Sequence, residues 1–150
     1  MPQSRAQKRN NAKLESTPYD NLVCFNFYRG WRAIQEYYSS VFPDNFNAQR
    51  SYVMGLCIEK PTTVSQIAAV LGIDDAAVSN LIRRMEKDNL LRRTRSPEDG
   101  RSFEIHATEY GKKIAKEVEE KMKQLDQKLY SDISDTDIAV LYKIVKAIHQ

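Results

Sequence analysis

At 150 residues with 41% hydrophobic side chains, the chain is long enough to bury one core and too short for several domains. Its formal charge of +3 is too mild to mark a nucleic-acid binder, so where the charges sit matters more than their sum. Two cysteines exclude the disulfide framework of a secreted domain, no apolar run approaches the ~20 residues of a membrane span, and the first residues lack the apolar stretch of a signal peptide; a soluble cytoplasmic protein is expected.

Residues 1–17 are polar and without periodicity, and Arg5, Lys8, Arg9 and Lys13 precede the first acid, Glu15. This composition predicts a disordered tail, with an arm on DNA phosphates as the other reading. Residues 18–150 read as a single domain. Pro18 suits a helix start, since its missing N–H would be unpaired there anyway, and the helix is expected from Tyr19 to about Phe42. Leu22, Phe25, Tyr28, Arg32, Gln35 and Tyr38 fall on one side and Val23, Phe27, Trp31 and Ile34 on another. A helix apolar on two sides is buried between two surfaces, the second most simply a partner subunit. Pro43 breaks it. A second helix is expected from Asn47 to about Glu59, with Tyr52, Val53, Leu56 and Cys57 facing in, and Pro61 ends it.

Val64, Ile67, Ala68 and Leu71 then recur at helical spacing, and Gly72 permits the positive φ of a helix stop. Asp74 or Asp75 can cap the next helix, whose apolar face is Val78, Leu81, Ile82 and Met85. Two short helices joined at a glycine turn make a helix-turn-helix. Leu90–Thr94 and Arg101–His106 are strand candidates around the Pro- and Gly-marked loop 95–100. The expected class is therefore mainly α with a small β-hairpin wing, a winged helix-turn-helix over about residues 47–107. Thr108 caps a long helix with the stripe Ile114, Val118, Met122, Leu125 and Leu129. Ser134 opens a last one with Ile138, Leu141, Tyr142, Val145 and Ile148 on one face. A monomer cannot cover so much apolar surface, so residues 18–42 and 108–150 are expected to form a homodimer.

With Val78, Leu81, Ile82 and Met85 turned inward, Ala76, Ala77, Ser79, Asn80, Arg83 and Arg84 face outward. Small residues first let a helix enter a major groove, and Ser79 and Asn80 can exchange hydrogen bonds with base edges. The wing carries Arg95 and Arg101 around Asp99, and a narrow minor groove attracts an inserted guanidinium. A solvated polar face and a plain hairpin loop held by an Asp–Arg pair are the alternatives.

These residues resemble the MarR family of transcriptional regulators. The resemblance is carried by Val64–Ala68, Leu71–Gly72, Val78–Lys87, Leu90–Arg93, Asp99–Ser102 and Ala107–Gly111, and extends over about residues 20–150. It implies a homodimer on palindromic double-stranded operator DNA, with Arg101 in the minor groove and Asp99 bracing the loop or the arginine. Many relatives carry Arg where this chain has Gly100, so one cationic contact is expected to be missing. Asn21–Tyr28 also resembles the first helix of the organic hydroperoxide regulators in this family. That implies Cys24 as a redox sensor held by Tyr28 and Tyr38, although the second-helix tyrosine of the subgroup has no match. A buried, inert thiol is the other reading, and the preferred one for Cys57. The family further implies an effector pocket between lobe and dimer helices, often for phenolic or other aromatic acids. Phe25, Tyr28, Trp31, Tyr37, Tyr38 and Tyr52 are its candidate lining here, with ordinary core packing as the alternative.

His106 and His149 pair with no nucleophile and form no metal-ligand spacing, and no Gly-rich phosphate loop is present, so neither an enzyme nor a cofactor is expected. The reading is a repressor released from its operator by an effector or oxidant. The rival is a winged helix used as a protein-interaction module, which would not need Arg95 and Arg101 at the wing tip.

Overall fold

The computed structural model describes residues 15–149. Among them run α1 (Val23–Tyr38), a 3-10 turn (Ser39–Val41), α2 (Ala48–Glu59), α3 (Val64–Leu71), α4 (Asp75–Lys87), strands β1 (Leu91–Arg95) and β2 (Phe103–Ala107), α5 (Glu109–Tyr130) and α6 (Asp135–Ile148). The class is the one expected, mainly helical with an antiparallel hairpin. The basic residues Arg5, Lys8, Arg9 and Lys13 lie outside the described residues.

The first helix starts later than Pro18 predicts. The Asp20 carboxylate accepts hydrogen bonds from the Thr17 N–H and hydroxyl at 3.0 Å and from the Ser16 hydroxyl at 3.1 Å. The Thr17 backbone bond, above all, holds the Asp20 carboxyl below its ordinary value. Such local side-chain bonds compete with helix formation, so the chain turns and α1 begins only after Leu22. At the other end Phe42 is extended, the conformation a following proline imposes.

Asn47 caps α2 by accepting from the Arg50 N–H at 2.9 Å. Its buried face is Val53, Met54 and Cys57; Tyr52 is 47% exposed, not inward-facing, because one step of 100° turns it off that face. Thr63 and Gln66 form a capping box on α3. Gly72 ends α3 at φ 66°. Asp74 caps α4, accepting from the Ala77 N–H at 2.8 Å, whereas the Asp75 carboxylate accepts from the Ser65 hydroxyl at 2.8 Å and ties the two helix starts together.

Val53, Met54, Ile67, Val78, Ile82, Met85 and Ile105 are 0% exposed and join α2, α3, α4 and β2 into one core. Each such side chain contributes about 1.5–3 kcal/mol by its removal from water. The strands are Leu91 to Arg95 against Phe103 to Ala107, displaced by one or two residues from the expected ones. Leu90 is excluded because its N–H closes α4 on the Met85 carbonyl at 2.9 Å, and Ser102 because its N–H closes a turn on the Asp99 carbonyl at 2.9 Å.

Thr108 caps α5 by accepting from the Gly111 N–H at 2.9 Å, and its hydroxyl donates to the Asn89 carbonyl at 2.6 Å. Gly111 lies against the chain there: an added Cβ would stand 2.1 Å from the Leu90 carbonyl oxygen. Gly111, Ala115 and Val118 are buried in the lobe, whereas farther along α5 Leu125 and Leu129 are only half-buried. A Ser134–Asp137 capping box opens α6. Neither α1 nor α6 contains a buried residue: Trp31 is 51%, Leu141 53% and Tyr142 69% exposed.

Candidate nucleic-acid interface

Helix α4 divides as its spacing predicts. Val78, Ile82 and Met85 seal it to the core, and Ala76, Ala77, Asn80, Arg83 and Arg84 are exposed, with Ser79 half-buried. Nothing bulky precedes the second turn, so the helix end can approach a groove floor. The Arg83 guanidinium donates to the Asn80 side-chain oxygen at 3.0 Å, and the Asn80 amide N–H groups have no partner among the described residues. Arg84 and Lys87 lie in the last turn, where cations also complement the helix dipole.

Arg93 has a role that spacing alone did not single out. From β1 its Nε lies 3.0 Å from Glu86 Oε2, and its Nη2 donates to the Ser79 carbonyl at 3.4 Å. It therefore clasps the hairpin to the back of α4, fixing the wing relative to the recognition helix. Its place among Arg92, Arg93 and Arg95 marked it as basic, but only the fold distinguishes a brace from a free cation.

The two wing arginines separate as well. Arg95 folds back: it donates to the Gly100 carbonyl at 2.7 Å and lies 5.6 Å from the Phe103 ring centroid. Asp99 accepts from the Arg101 backbone N–H at 3.0 Å, so it braces the loop and does not pair with the arginine head. Arg101 is exposed, and its guanidinium has no hydrogen-bond or ion-pair partner among the described residues. Both arginines are exposed, but Arg95 is held to the loop, and Arg101 alone of the two keeps a guanidinium without a partner among the described residues.

Cys24 is exposed in the first turn of α1, and Cys57 is buried. Burial pushes the Cys57 thiol up to about 12, so it is inert as a nucleophile at neutral pH. The expected grouping of Cys24 with both tyrosines is not formed within one chain. Tyr28, a turn away, accepts from Arg32 at 3.4 Å. Tyr38 is fourteen helical residues on, about 21 Å along the axis, and donates its hydroxyl to the Asp126 carboxylate. Burial first, and Asp126 second, push the Tyr38 hydroxyl above its ordinary value, so it keeps its proton.

A cleft of about 1020 Å³ opens between α1, the segment after it, α2 and α5. Trp31, Tyr38 and Tyr52 line it as expected, joined by Phe42, Met122 and Asp126. Phe25 and Tyr28 do not: Phe25 packs edge-on against Tyr19 at 5.6 Å and carries Arg29 at 5.2 Å, near the start of α1. Sequence pattern grouped Phe25 and Tyr28 with Trp31 and Tyr38 because they share a helix, but the helix is longer than the cleft.

A capped helix-turn-helix with a small, polar outer face, braced to an arginine-tipped hairpin, defines a winged-helix DNA-binding protein. A family model described as the MarR family matches residues 45–102. The chain is 32% identical over 99 residues to the HTH-type transcriptional regulator MgrA of Staphylococcus aureus, covering 64% of this chain and 67% of that one. It is 26% identical over 144 residues to the organic hydroperoxide resistance transcriptional regulator of Bacillus subtilis, covering 92% and 97%. The PcaV transcriptional regulator of Streptomyces coelicolor, solved with its natural ligand, has the same fold at a TM-score of 0.80 and 13% identity, over 91% of this chain and 97% of that one. The chain belongs to the MarR family, whose members are DNA-binding transcriptional regulators and not enzymes. No described helix is long and apolar enough to cross a membrane. Among the described residues no group of three or more His, Cys, Asp or Glu could hold a metal.

Proposed function

We propose that the protein is a homodimeric repressor that occupies a palindromic operator and leaves it when the cleft or Cys24 receives a signal. The observation that carries this is the pairing of an outward face on α4 and Arg101 with the uncovered apolar faces of α1 and α6. The first needs DNA; the second needs a copy of the chain. Two-fold symmetry of the protein demands matching half-sites in the DNA. Arg83, Arg84 and Arg101 supply phosphate and groove affinity, and Ala76, Ala77, Ser79 and Asn80 supply base readout. Arg95 and Asp99 hold the wing in shape. Selection of bound sequences from a random DNA pool should return an inverted repeat, with two chains per site by sedimentation. Enrichment of no sequence, with weak binding at all salt concentrations, would favour the protein-interaction module instead.

A signal must bind the two conformations of a dimer with different affinity to shift them. The cleft is one receiver, for an aromatic small molecule, since it lies where α1 and α5 meet the lobe. The other is Cys24, favoured by its exposure and by the similarity to the B. subtilis organic hydroperoxide resistance regulator. Its thiolate would attack one peroxide oxygen; the O–O bond breaks, the alkoxide leaves and takes a proton, and a sulfenic acid remains. Tyr28, one turn on, is the nearer tyrosine in the same chain, and a Tyr38 hydroxyl can act only across a subunit interface. Operator release by an organic hydroperoxide in wild type and Cys57→Ser, but not in Cys24→Ser, is the expected result. Wild-type binding that survives the oxidant would leave the cleft as the receiver.

A further inference from the structure

We propose that the cleft between α1 and α5 selects aromatic organic cations, such as quaternary ammonium or phosphonium compounds, over aromatic acids. The inference rests on the reading of this cleft as the effector site. It follows from which charges line the cavity. The rings of Trp31, Tyr38, Phe42 and Tyr52 supply stacking faces, and the charged lining groups are Asp44 and Asp126. No lysine, arginine or histidine is among the described lining residues, and the other polar groups are amides and hydroxyls. An aromatic carboxylate entering here would exchange water for two like charges and no cation, which opposes binding. A cation would meet ring faces, which attract positive charge, and carboxylates of opposite sign.

The net charge of +3 does not weaken the argument. Screening limits such interactions to about 8 Å at physiological salt, so the nearest groups decide. Asp126 is half-buried at the cleft wall, where screening is least. Tyr38 donates to its Oδ1, while Oδ2 has no partner among the described residues. Asp44 also lines the cleft and is exposed.

Tetraphenylphosphonium and tetraphenylborate provide the test, since they match in shape and rings and differ in charge. Trp31 is the only tryptophan of the chain and lines the cleft, so its fluorescence reports occupancy. The full-length protein should bind the phosphonium roughly tenfold or more tightly than the borate. Asp126→Asn keeps an oxygen for Tyr38 and removes the charge; there the gap should fall to about threefold or less. Asp44→Asn, at the more exposed carboxylate, should narrow it to a smaller degree and serves if the first variant is unstable. Equal or tighter borate binding in wild type, or a gap unchanged in both variants, overturns the charge selection. Operator binding followed in the same titrations separates the two claims. Cation occupancy without release upholds the selection and removes the effector role. Release by a phenolic acid with no preference for the cation keeps that role and overturns the selection.

Discussion

The DNA-reading lobe and the flanking helices α1 and α6 use apolar side chains in opposite ways. In the lobe, Ile67, Ile82 and Ile105 come from three different elements and have no exposed surface at all. In α1 and α6, Val23, Phe27, Leu141 and Tyr142 form equally apolar faces that the single chain leaves largely uncovered. Burial on that scale supplies most of a domain's stability, so the lobe carries its own fold, while α1 and α6 depend on the second copy proposed above to cover their apolar faces. In the proposed dimer the division also separates tasks: one region keeps a rigid face, and the other holds an interface that a signal can shift.

The sharpest way to break the comparison is Gly111→Ala. A Cβ there meets the Leu90 carbonyl oxygen and carbon, backbone atoms that a rotamer change cannot move. We expect a loss of at least about 3 kcal/mol in denaturant unfolding. Ile82→Ala, which only leaves a cavity, should cost about 2–5 kcal/mol. A mild effect of both would mean that the lobe does not stand on this core. Leu141→Asp tests the opposite region: it should raise the dimer dissociation constant by about thirtyfold or more in sedimentation and leave amide-exchange protection in α4 nearly intact. An unaltered dimer would remove α6 from the interface.

Smaller effects refine the lobe itself. Arg101→Ala should weaken operator binding by about 1–3 kcal/mol and lower the salt slope by about 1 if its contact is electrostatic. Arg95→Ala should act less on DNA and more on the wing, because that side chain holds Gly100 and lies against Phe103. Titrations at several salt concentrations separate the two. The smallest effect is at Cys57. Its folded-state value of about 12 lies above its ordinary 9.0, so the folded protein holds that proton more tightly than the unfolded chain. Stability from this group is complete below pH 9 and declines as pH rises towards 12. The decline should flatten in Cys57→Ala relative to that variant's own neutral-pH stability.

Local chemistry made the lobe legible. Gly72, Asp74 and Thr108 mark helix ends in and beside it because their roles depend on a few neighbouring backbone groups, which the sequence lists in order. Pro18 misled because a competing bond network, Asp20 on Ser16 and Thr17, prevailed over a helix-start preference. Tyr52 and Met54 were exchanged in the expected core, since adjacent residues on a helix differ by only 100° and α2 is apolar around much of its circumference. The site was harder. Arg95 and Arg101 look alike in the sequence and differ only in what the folded loop offers them. Cys24 and Tyr38 share a helix, yet about 21 Å separates them. A motif spacing therefore does not say whether two groups meet in one chain or across two.

Helix α5 is 22 residues long, a rod of about 33 Å. One end is pinned through Thr108 to the Asn89 and Leu90 carbonyls, where the recognition helix has just finished. Near the other end, Asp126 and the Leu125 carbonyl are bonded to the last tyrosines of α1. The rod is thus an axle between the chamber and the reading head, with no loop in between to absorb a twist. Under the proposed effector role, a ligand that rotates it by a few degrees at Asp126 would turn the base of the wing with it. On that proposal its stiffness, more than any chain of side-chain contacts, would set how faithfully occupancy becomes spacing on DNA.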